Sequence, residues 1–255
     1  MRFVEGPQGR LRVDDGGEGG LPVLLVHGGA GSLAQWDATL AHLRRHRRAA
    51  AFDLRGMGAS DPPGNCDYSL GAMADDVHAV AEALGYERFA LAGHSYGGGV
   101  IAACAARHPE RLAALVFVDS YGVPWEPTSA EREEMERGFR PGNYAAFVAR
   151  WFAPLLDDAT AGTRRAVLAG LQTTPREAFI AATNAGMRFD PRAALAGYRG
   201  PVFAIGAERL DGPHLAQRAL PVRDFRILKG VSHWLMMDRP DEFCRDLDEL
   251  LAEVG

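Results

Sequence analysis

The sequence predicts an α/β protein with a mostly parallel sheet. Three apolar runs are continuous rather than alternating, which is typical of strands buried on both faces of a sheet. These runs lie at 21–26, 89–92 and 114–118. Segments with helical character lie between them, including 69–84 and 100–106. Strands that alternate with helices along a chain build a parallel sheet with helices on its faces.

The alternation stops between residues 121 and 198. A charged helical stretch at 131–137 opens this region, and aromatic residues follow it at intervals. The alternation resumes with an apolar run at 201–205. We therefore predict a core made of residues 1–120 and 199–255, and a helical cap made of residues 121–198.

The remaining elements follow in order from local patterns. Alternating residues at 2–5 and 10–13 predict an antiparallel edge hairpin. Ser32 is placed to cap a helix over 33–45, which ends in the basic cluster 44–48. A strand is expected at 49–54 and a last strand at 225–228. An amphipathic helix over 238–254 closes the chain.

Composition narrows the classes of function. A chain of 255 residues with 47% hydrophobic content can form one domain with a large core, and the net charge of −5 gives no footprint for nucleic acid or an anionic membrane. No apolar run of about eighteen residues and no signal sequence is evident, so a cytoplasmic location is expected. The three cysteines, Cys66, Cys104 and Cys244, are expected to be buried free thiols. We expect a small-molecule partner, with no prediction of oligomeric state.

One motif organises the chain. Gly93-His94-Ser95-Tyr96-Gly97 follows the apolar run 89–92 and precedes an Ala-rich helix. Such a strand–turn–helix sequence holds its central residue in a strained conformation, and the residues two positions away on either side must lack side chains. The motif predicts that Ser95 is a nucleophile exposed above the edge of the sheet.

A serine hydroxyl needs a base to take its proton during attack. His233 follows Lys229-Gly230-Val231-Ser232, a loop directly after the final strand. This position brings its imidazole to the same edge of the sheet as Ser95. His233 is therefore the expected base, in preference to the histidines on helices and to His27 and His94, which flank motifs.

The chain resembles proteins of the α/β-hydrolase fold over nearly its whole length. The matching features are the His27-Gly28-Gly29 turn, the segment 53–60, the pentapeptide around Ser95, the helical insertion and Gly230-Val231-Ser232-His233. The resemblance implies an eight-stranded, mostly parallel sheet with an active site between core and cap. It also assigns one oxyanion-hole amide to Gly29, beside the amide of Tyr96 at the start of the helix.

The acid that orients His233 is open at this stage. The common family pattern puts it three residues after Gly206, where this chain has Arg209. Some relatives carry the acid after the preceding strand, which corresponds to Asp119. Asp119 is the preferred candidate, Asp211 is the alternative, and Glu208 is a third possibility.

The expected reaction is hydrolysis of an ester, lactone or thioester through an acyl-enzyme, without cofactor or metal. Epoxide opening and halide displacement are disfavoured because relatives that do this have aspartate in place of Ser95. Carbon–carbon bond hydrolysis, amide hydrolysis, perhydrolysis and a slow or non-catalytic receptor are alternatives. Aromatic residues are expected to bind an apolar substrate, with candidates Trp125, Phe147, Trp151, Phe152 and Trp234.

Overall fold

The computed structural model describes residues 1–254. Its strands are β1 (Arg2–Gly6), β2 (Gly9–Gly16), β3 (Val23–Val26), β4 (Ala49–Phe52), β5 (Phe89–His94), β6 (Leu112–Val118), β7 (Val202–Ala207) and β8 (Asp224–Leu228). Its α-helices are α1 (Asp37–Leu43), α2 (Leu70–Ala83), α3 (Tyr96–Arg107), α4 (Ser129–Gly138), α5 (Tyr144–Phe152), α6 (Ala161–Thr173), α7 (Arg176–Met187), α8 (Pro191–Leu195), α9 (Ala216–Ala219), α10 (Leu235–Asp238) and α11 (Pro240–Leu251). Short 3-10 turns lie at Leu33–Trp36, Pro109–Arg111, Ala153–Leu156 and Glu208–Leu210.

All eight strands form one sheet in the order β1-β2-β4-β3-β5-β6-β7-β8. The pairs β1–β2 and β2–β4 are antiparallel, and every other pair is parallel. The prediction of an eight-stranded, mostly parallel sheet is confirmed. Parallel strands end at the same edge, so the residues that follow β5, β6 and β7 meet there.

The sheet separates two apolar cores. Alternate residues of β3 face opposite sides, with Leu24 and Val26 packed in one core and Val23 and Leu25 in the other. Helices α2 and α3 cover the first core, and α1 and α11 cover the second. Burial on both faces explains why the sequences of the central strands are continuous apolar runs.

Two helices differ from their predicted form. The predicted helix 33–45 divides into a 3-10 turn and α1, and the side chain of Ser32 makes no capping bond. The buried Asp53 carboxylate accepts a hydrogen bond from the Leu33 amide instead. The predicted helix 238–254 divides at Arg239, because Pro240 opens a separate helix, α11. Cys66 is also exposed rather than buried.

Five helices, α4 to α8, occupy the segment between β6 and β7. Helix α4 begins with a capping box in which Thr128 and Glu131 bond to each other's backbone amides. Ala182 of α7 and Leu195 of α8 pack in the first core. The last part of this helical insertion therefore packs on the core, with α7 against α2 and α8 against α3.

No helix within residues 1–254 has both the length and the apolar character needed to span a membrane.

Candidate active site

Ser95 lies at the sharp turn between β5 and α3. Its backbone has φ 52° and ψ −117°, in the region that residues with side chains rarely adopt. A Cβ atom at Gly93 would lie 2.3 Å from the Gly97 oxygen, and one at Gly97 would lie 2.6 Å from the Val26 oxygen. Only glycine fits at these two positions, as the sequence predicts.

Hydrogen bonds fix the backbone of Ser95 on both sides. Its amide donates to the Val118 carbonyl at 2.9 Å, which links the turn to the end of β6. Its carbonyl accepts from the Gly98 amide at 2.9 Å and from the Ser120 hydroxyl at 2.7 Å. The strained conformation is therefore stabilised by the neighbouring strand.

His233 is hydrogen-bonded to Asp119. The distance from Asp119 Oδ2 to His233 Nδ1 is 2.6 Å, and both side chains are buried. Asp119 Oδ1 accepts a hydrogen bond from the Ala207 amide at 3.0 Å. The Asp119 backbone has φ 42° and is tied to β7 by a bond from its amide to the Ile205 carbonyl. The end of β6 thus aims a fixed carboxylate at the imidazole.

The other two acid candidates lie away from His233. Asp211 forms an ion pair with Arg218 at 2.6 Å and accepts a hydrogen bond from Gln217. Glu208 forms an exposed ion pair with Lys229 at 2.8 Å. The short 3-10 turn after β7 directs both carboxylates to other partners. The geometry therefore favours Asp119 over Asp211 and Glu208 as the proposed acid.

The contact with Asp119 determines which nitrogen of His233 faces the cavity. A carboxylate only accepts hydrogen bonds, so the Nδ1 atom of His233 carries the proton. The Nε2 atom then has the free lone pair and can accept a proton. Ser95 and His233 line the same cavity. No hydrogen bond joins Ser95 Oγ to Nε2 among residues 1–254, and such bonds commonly tighten only when substrate binds.

His94 holds the backbone of His233 in place through a hydrogen bond, a role that the sequence did not predict. Its Nε2 donates to the His233 carbonyl at 2.8 Å, and the two ring centroids are 4.6 Å apart. Burial, with smaller contributions from His233 and His27, lowers the pKa of His94 well below its usual value. His94 therefore stays neutral and acts as a donor to the backbone. Its position beside Ser95 was the only signal in the sequence.

Two backbone amides are available beside Ser95. Among residues 1–254, the amides of Gly29 and Tyr96 have no hydrogen-bond acceptor. A Cβ atom at Gly29 would lie 3.8 Å from the Tyr96 Cβ, so the two residues are adjacent. Buried His27 holds the turn before Gly29, since Nδ1 donates to the Gly28 carbonyl at 2.7 Å and Nε2 accepts from the Leu54 amide at 2.9 Å. Desolvation lowers the pKa of His27 and keeps this imidazole neutral.

The cavity above Ser95 has a volume of about 180 Å³. Apart from the two histidines, it is lined by uncharged residues, among them Trp125, Trp151, Phe152, Phe179, Met187 and Trp234. Four of the five aromatic residues expected to bind substrate therefore lie on the cavity wall. This lining suits an apolar, uncharged ligand.

Phe147 is the exception, because it does not line the cavity above Ser95. It lies one helical turn before Trp151 on α5, and its ring packs where a Cβ at Gly138 would stand. It borders a second cavity of about 410 Å³ together with Glu134 and Arg150. Trp125 and Trp151 line both cavities, with ring centroids 5.5 Å apart. The tryptophan pair therefore lies between the two cavities.

Comparison with known proteins agrees with this geometry. The family model described as alpha/beta hydrolase fold matches residues 22–190, more than half of the chain. The chain belongs to the alpha/beta hydrolase fold family. The resemblance inferred from the motifs is thereby confirmed.

Individual relatives differ in their named activities. The chain is 36% identical over 122 residues to a 2-hydroxymuconate semialdehyde hydrolase of Pseudomonas sp. (strain CF600), a match that covers 47% of this chain and 43% of that protein. The match thus spans less than half the length of this relative. A thermophilic esterase from Thermogutta terrifontis superposes with a TM-score of 0.83 at 26% identity, covering 100% of this chain and 99% of the other. An enol-lactonase from Burkholderia xenovorans LB400 has the same fold, with a TM-score of 0.82 at 21% identity over 98% of this chain and 100% of that chain.

Proposed function

We propose that this protein is a serine hydrolase that cleaves a small, largely apolar ester, lactone or thioester. One observation carries the proposal: Ser95 and His233 line one cavity whose other side chains are uncharged apart from His94, and His233 is hydrogen-bonded to the buried Asp119 behind it. The turn after β5 supplies a nucleophile, and the buried pair supplies a base with a fixed tautomer.

The proposed reaction begins with attack of Ser95 Oγ on the substrate carbonyl carbon. His233 Nε2 takes the hydroxyl proton as the new carbon–oxygen bond forms. The carbonyl oxygen becomes an anion, and the free amides of Gly29 and Tyr96 are placed to donate to it. The bond to the leaving alcohol or thiol then breaks, and that group takes the proton from His233. Water hydrolyses the acyl-Ser95 bond by the same proton transfers.

Asp119 has a positioning and electrostatic role in this scheme. Its Oδ2 holds the Nδ1 proton of His233, so Nε2 is free to accept a proton when Ser95 or water attacks. While Nε2 carries the serine proton, the imidazolium is stabilised by the adjacent carboxylate. The Ala207 amide keeps Asp119 Oδ1 in place throughout.

Carbon–carbon bond hydrolysis is the second candidate. The similarity to a 2-hydroxymuconate semialdehyde hydrolase favours it. That substrate carries a carboxylate, whereas no arginine or lysine lines the cavity of this chain in residues 1–254. A buried anion without a partner is strongly disfavoured. The uncharged cavity therefore favours an ester, lactone or thioester. Amide hydrolysis, perhydrolysis and a receptor role have no such observation behind them.

The test is a substrate panel with the purified protein. We expect turnover of neutral p-nitrophenyl esters of medium length, such as the butyrate, and at least about 100-fold lower kcat/KM for an ester with a terminal carboxylate of equal length. Ser95→Ala should be inactive on the whole panel. Faster cleavage of the anionic ester, or of a vinylogous diketone, would reject the proposed substrate class in favour of the second candidate.

A further inference from the structure

A cluster of three side chains outside the candidate active site connects the region of α1 to α11. His42 lies on α1, His46 follows that helix, and Asp248 lies on α11. His42 Nε2 is 2.6 Å from Asp248 Oδ2, and His46 Nε2 is 3.2 Å from Asp248 Oδ1. Within residues 1–254 this is the single group of three such residues whose ligand atoms all lie within 4.8 Å of one another.

We propose that His42, His46 and Asp248 form a binding site for a transition-metal ion of the Zn²⁺ class, separate from the candidate active site. Two imidazole nitrogens and one carboxylate oxygen are a donor set that Zn²⁺ accepts, whereas Ca²⁺ and Mg²⁺ prefer oxygen ligands throughout. Water completes the coordination, because three protein ligands leave at least one position open.

The geometry of the cluster is close to what an ion requires. In a tetrahedral zinc site with bonds of about 2.0–2.1 Å, neighbouring donor atoms lie about 3.3 Å apart. The two nitrogen–oxygen contacts to Asp248 are 2.6 and 3.2 Å long. Small changes in side-chain torsion therefore bring the donor atoms to the separation that a bound ion requires. The imidazole rings are perpendicular, with centroids 5.5 Å apart, and both present Nε2 to the same carboxylate. All three side chains are partly exposed, which leaves a path for the ion.

Arg45 is the residue that opposes binding. Its guanidinium Nη2 donates to His42 Nδ1, so His42 carries its proton on Nε2 and donates it to Asp248. When a metal ion takes Nε2, that proton moves to Nδ1, and the guanidinium must leave. Arg45 is exposed and can do so, but its positive charge repels the ion. Arg45 therefore lowers the affinity of the site without blocking it.

An ion at this site stabilises the packing of the last helix. Asp248 and the histidines lie more than 200 positions apart in the chain, and Phe243 on α11 packs against Trp36 ahead of α1 at 6.1 Å between ring centroids. An ion that binds only the folded protein raises its stability in proportion to the logarithm of its free concentration.

The experiment uses the full chain without an affinity tag, stripped with EDTA. Titration with ZnCl₂ against a chromogenic zinc chelator is expected to give one saturable site, and Zn²⁺ is expected to raise Tm. His46→Ala, at an exposed position, should keep the circular-dichroism spectrum of the wild type and lose both the saturable site and the Tm shift. Arg45→Gln should tighten binding several-fold.

Two control variants distinguish this site from other zinc-binding groups. His108 stacks on His78 with 4.2 Å between ring centroids and lies 3.4 Å from Asp75, and Cys66 is an exposed thiol. His108→Ala and Cys66→Ser should both keep the site. The proposal is overturned if the wild-type protein shows no saturable zinc binding, if His46→Ala binds as the wild type does, or if either control variant abolishes binding.

Discussion

Asp119 and His233 lie 114 positions apart in the chain, yet Asp119 Oδ2 is 2.6 Å from His233 Nδ1. Strand β6 delivers the carboxylate, and the loop after β8 delivers the imidazole. We predict that Asp119→Asn lowers kcat at least about 100-fold with little change in KM, because an amide cannot stabilise the imidazolium. Steady-state kinetics on a neutral ester measures this change.

Asp211→Asn is the matched control for that experiment. Asp211 is paired with Arg218 rather than with His233. Its variant should keep kcat within a few-fold of wild type, as partly exposed ion pairs contribute little. A larger loss of kcat for Asp211→Asn than for Asp119→Asn, at equal Tm, would indicate that the acid lies in the loop after β7.

The strained backbone at Ser95 predicts a stability effect. Its φ of 52° suits glycine and disfavours alanine. Ser95→Gly is therefore expected to be more stable than Ser95→Ala by about 1 kcal/mol, with both variants inactive. Denaturant unfolding at one pH measures the difference. Ser32 has an ordinary extended φ of −152°, so Ser32→Gly should be no more stable than Ser32→Ala. The same order at both positions would mean that strain is not the cause.

His94 predicts how stability depends on pH. Its pKa is lowered in the folded protein by burial, and the neighbouring imidazoles of His27 and His233 lower it further. Above about pH 7 this imidazole is neutral in the folded and unfolded states alike. Below about pH 6.5 only the unfolded state takes up the proton, so stability falls as the pH falls.

His94→Gln tests this dependence, because the amide nitrogen of glutamine can still donate to the His233 carbonyl. The variant should lose less unfolding free energy between pH 8 and pH 5.5 than the wild type does, by up to about 1 kcal/mol. His27 is also buried with a lowered pKa, so some dependence on pH remains. Equal losses in the two proteins would exclude His94 as a source of the pH dependence.

Trp125 is expected to limit the length of the substrate. Its ring and that of Trp151 lie between the cavity above Ser95 and the second cavity. Trp125→Ala should shift the preferred p-nitrophenyl ester towards longer acyl chains, since each accommodated methylene is worth about 0.8 kcal/mol. Trp125→Phe, which keeps an aromatic ring, should retain the wild-type preference. An unchanged chain-length profile in Trp125→Ala would show that the pair does not limit the substrate.

The sequence predicted the sheet and the positions of Ser95 and His233 because these depend on local patterns. Continuous apolar runs specify central strands, and Gly93 and Gly97 specify a turn that no other residue fits. The order of the motifs then indicates that their ends meet at one edge of the sheet.

The sequence did not decide between Asp119 and Asp211, because that choice depends on the path of a short turn. Asp211 pairs instead with Arg218, seven residues further along the chain, and no motif in the sequence predicts this contact. Ser32 was wrong as a helix cap for the same reason, since Asp53, distant in sequence, bonds to the Leu33 amide. Phe147 and Trp151 are both aromatic and lie one turn apart on α5, so the sequence does not distinguish them. In the structure Phe147 packs over Gly138, whereas Trp151 lines the cavity above Ser95.

Covalent labelling tests the central claim that Ser95 is an activated nucleophile. A fluorophosphonate should add once to the wild-type protein, abolish ester hydrolysis in proportion to its incorporation, and be found on the peptide that contains Ser95. Ser120→Ala keeps Ser95 and should still be labelled, whereas Ser95→Ala should not. Active wild-type protein that resists the reagent, or a Ser95→Ala variant that keeps its esterase activity, would contradict the account.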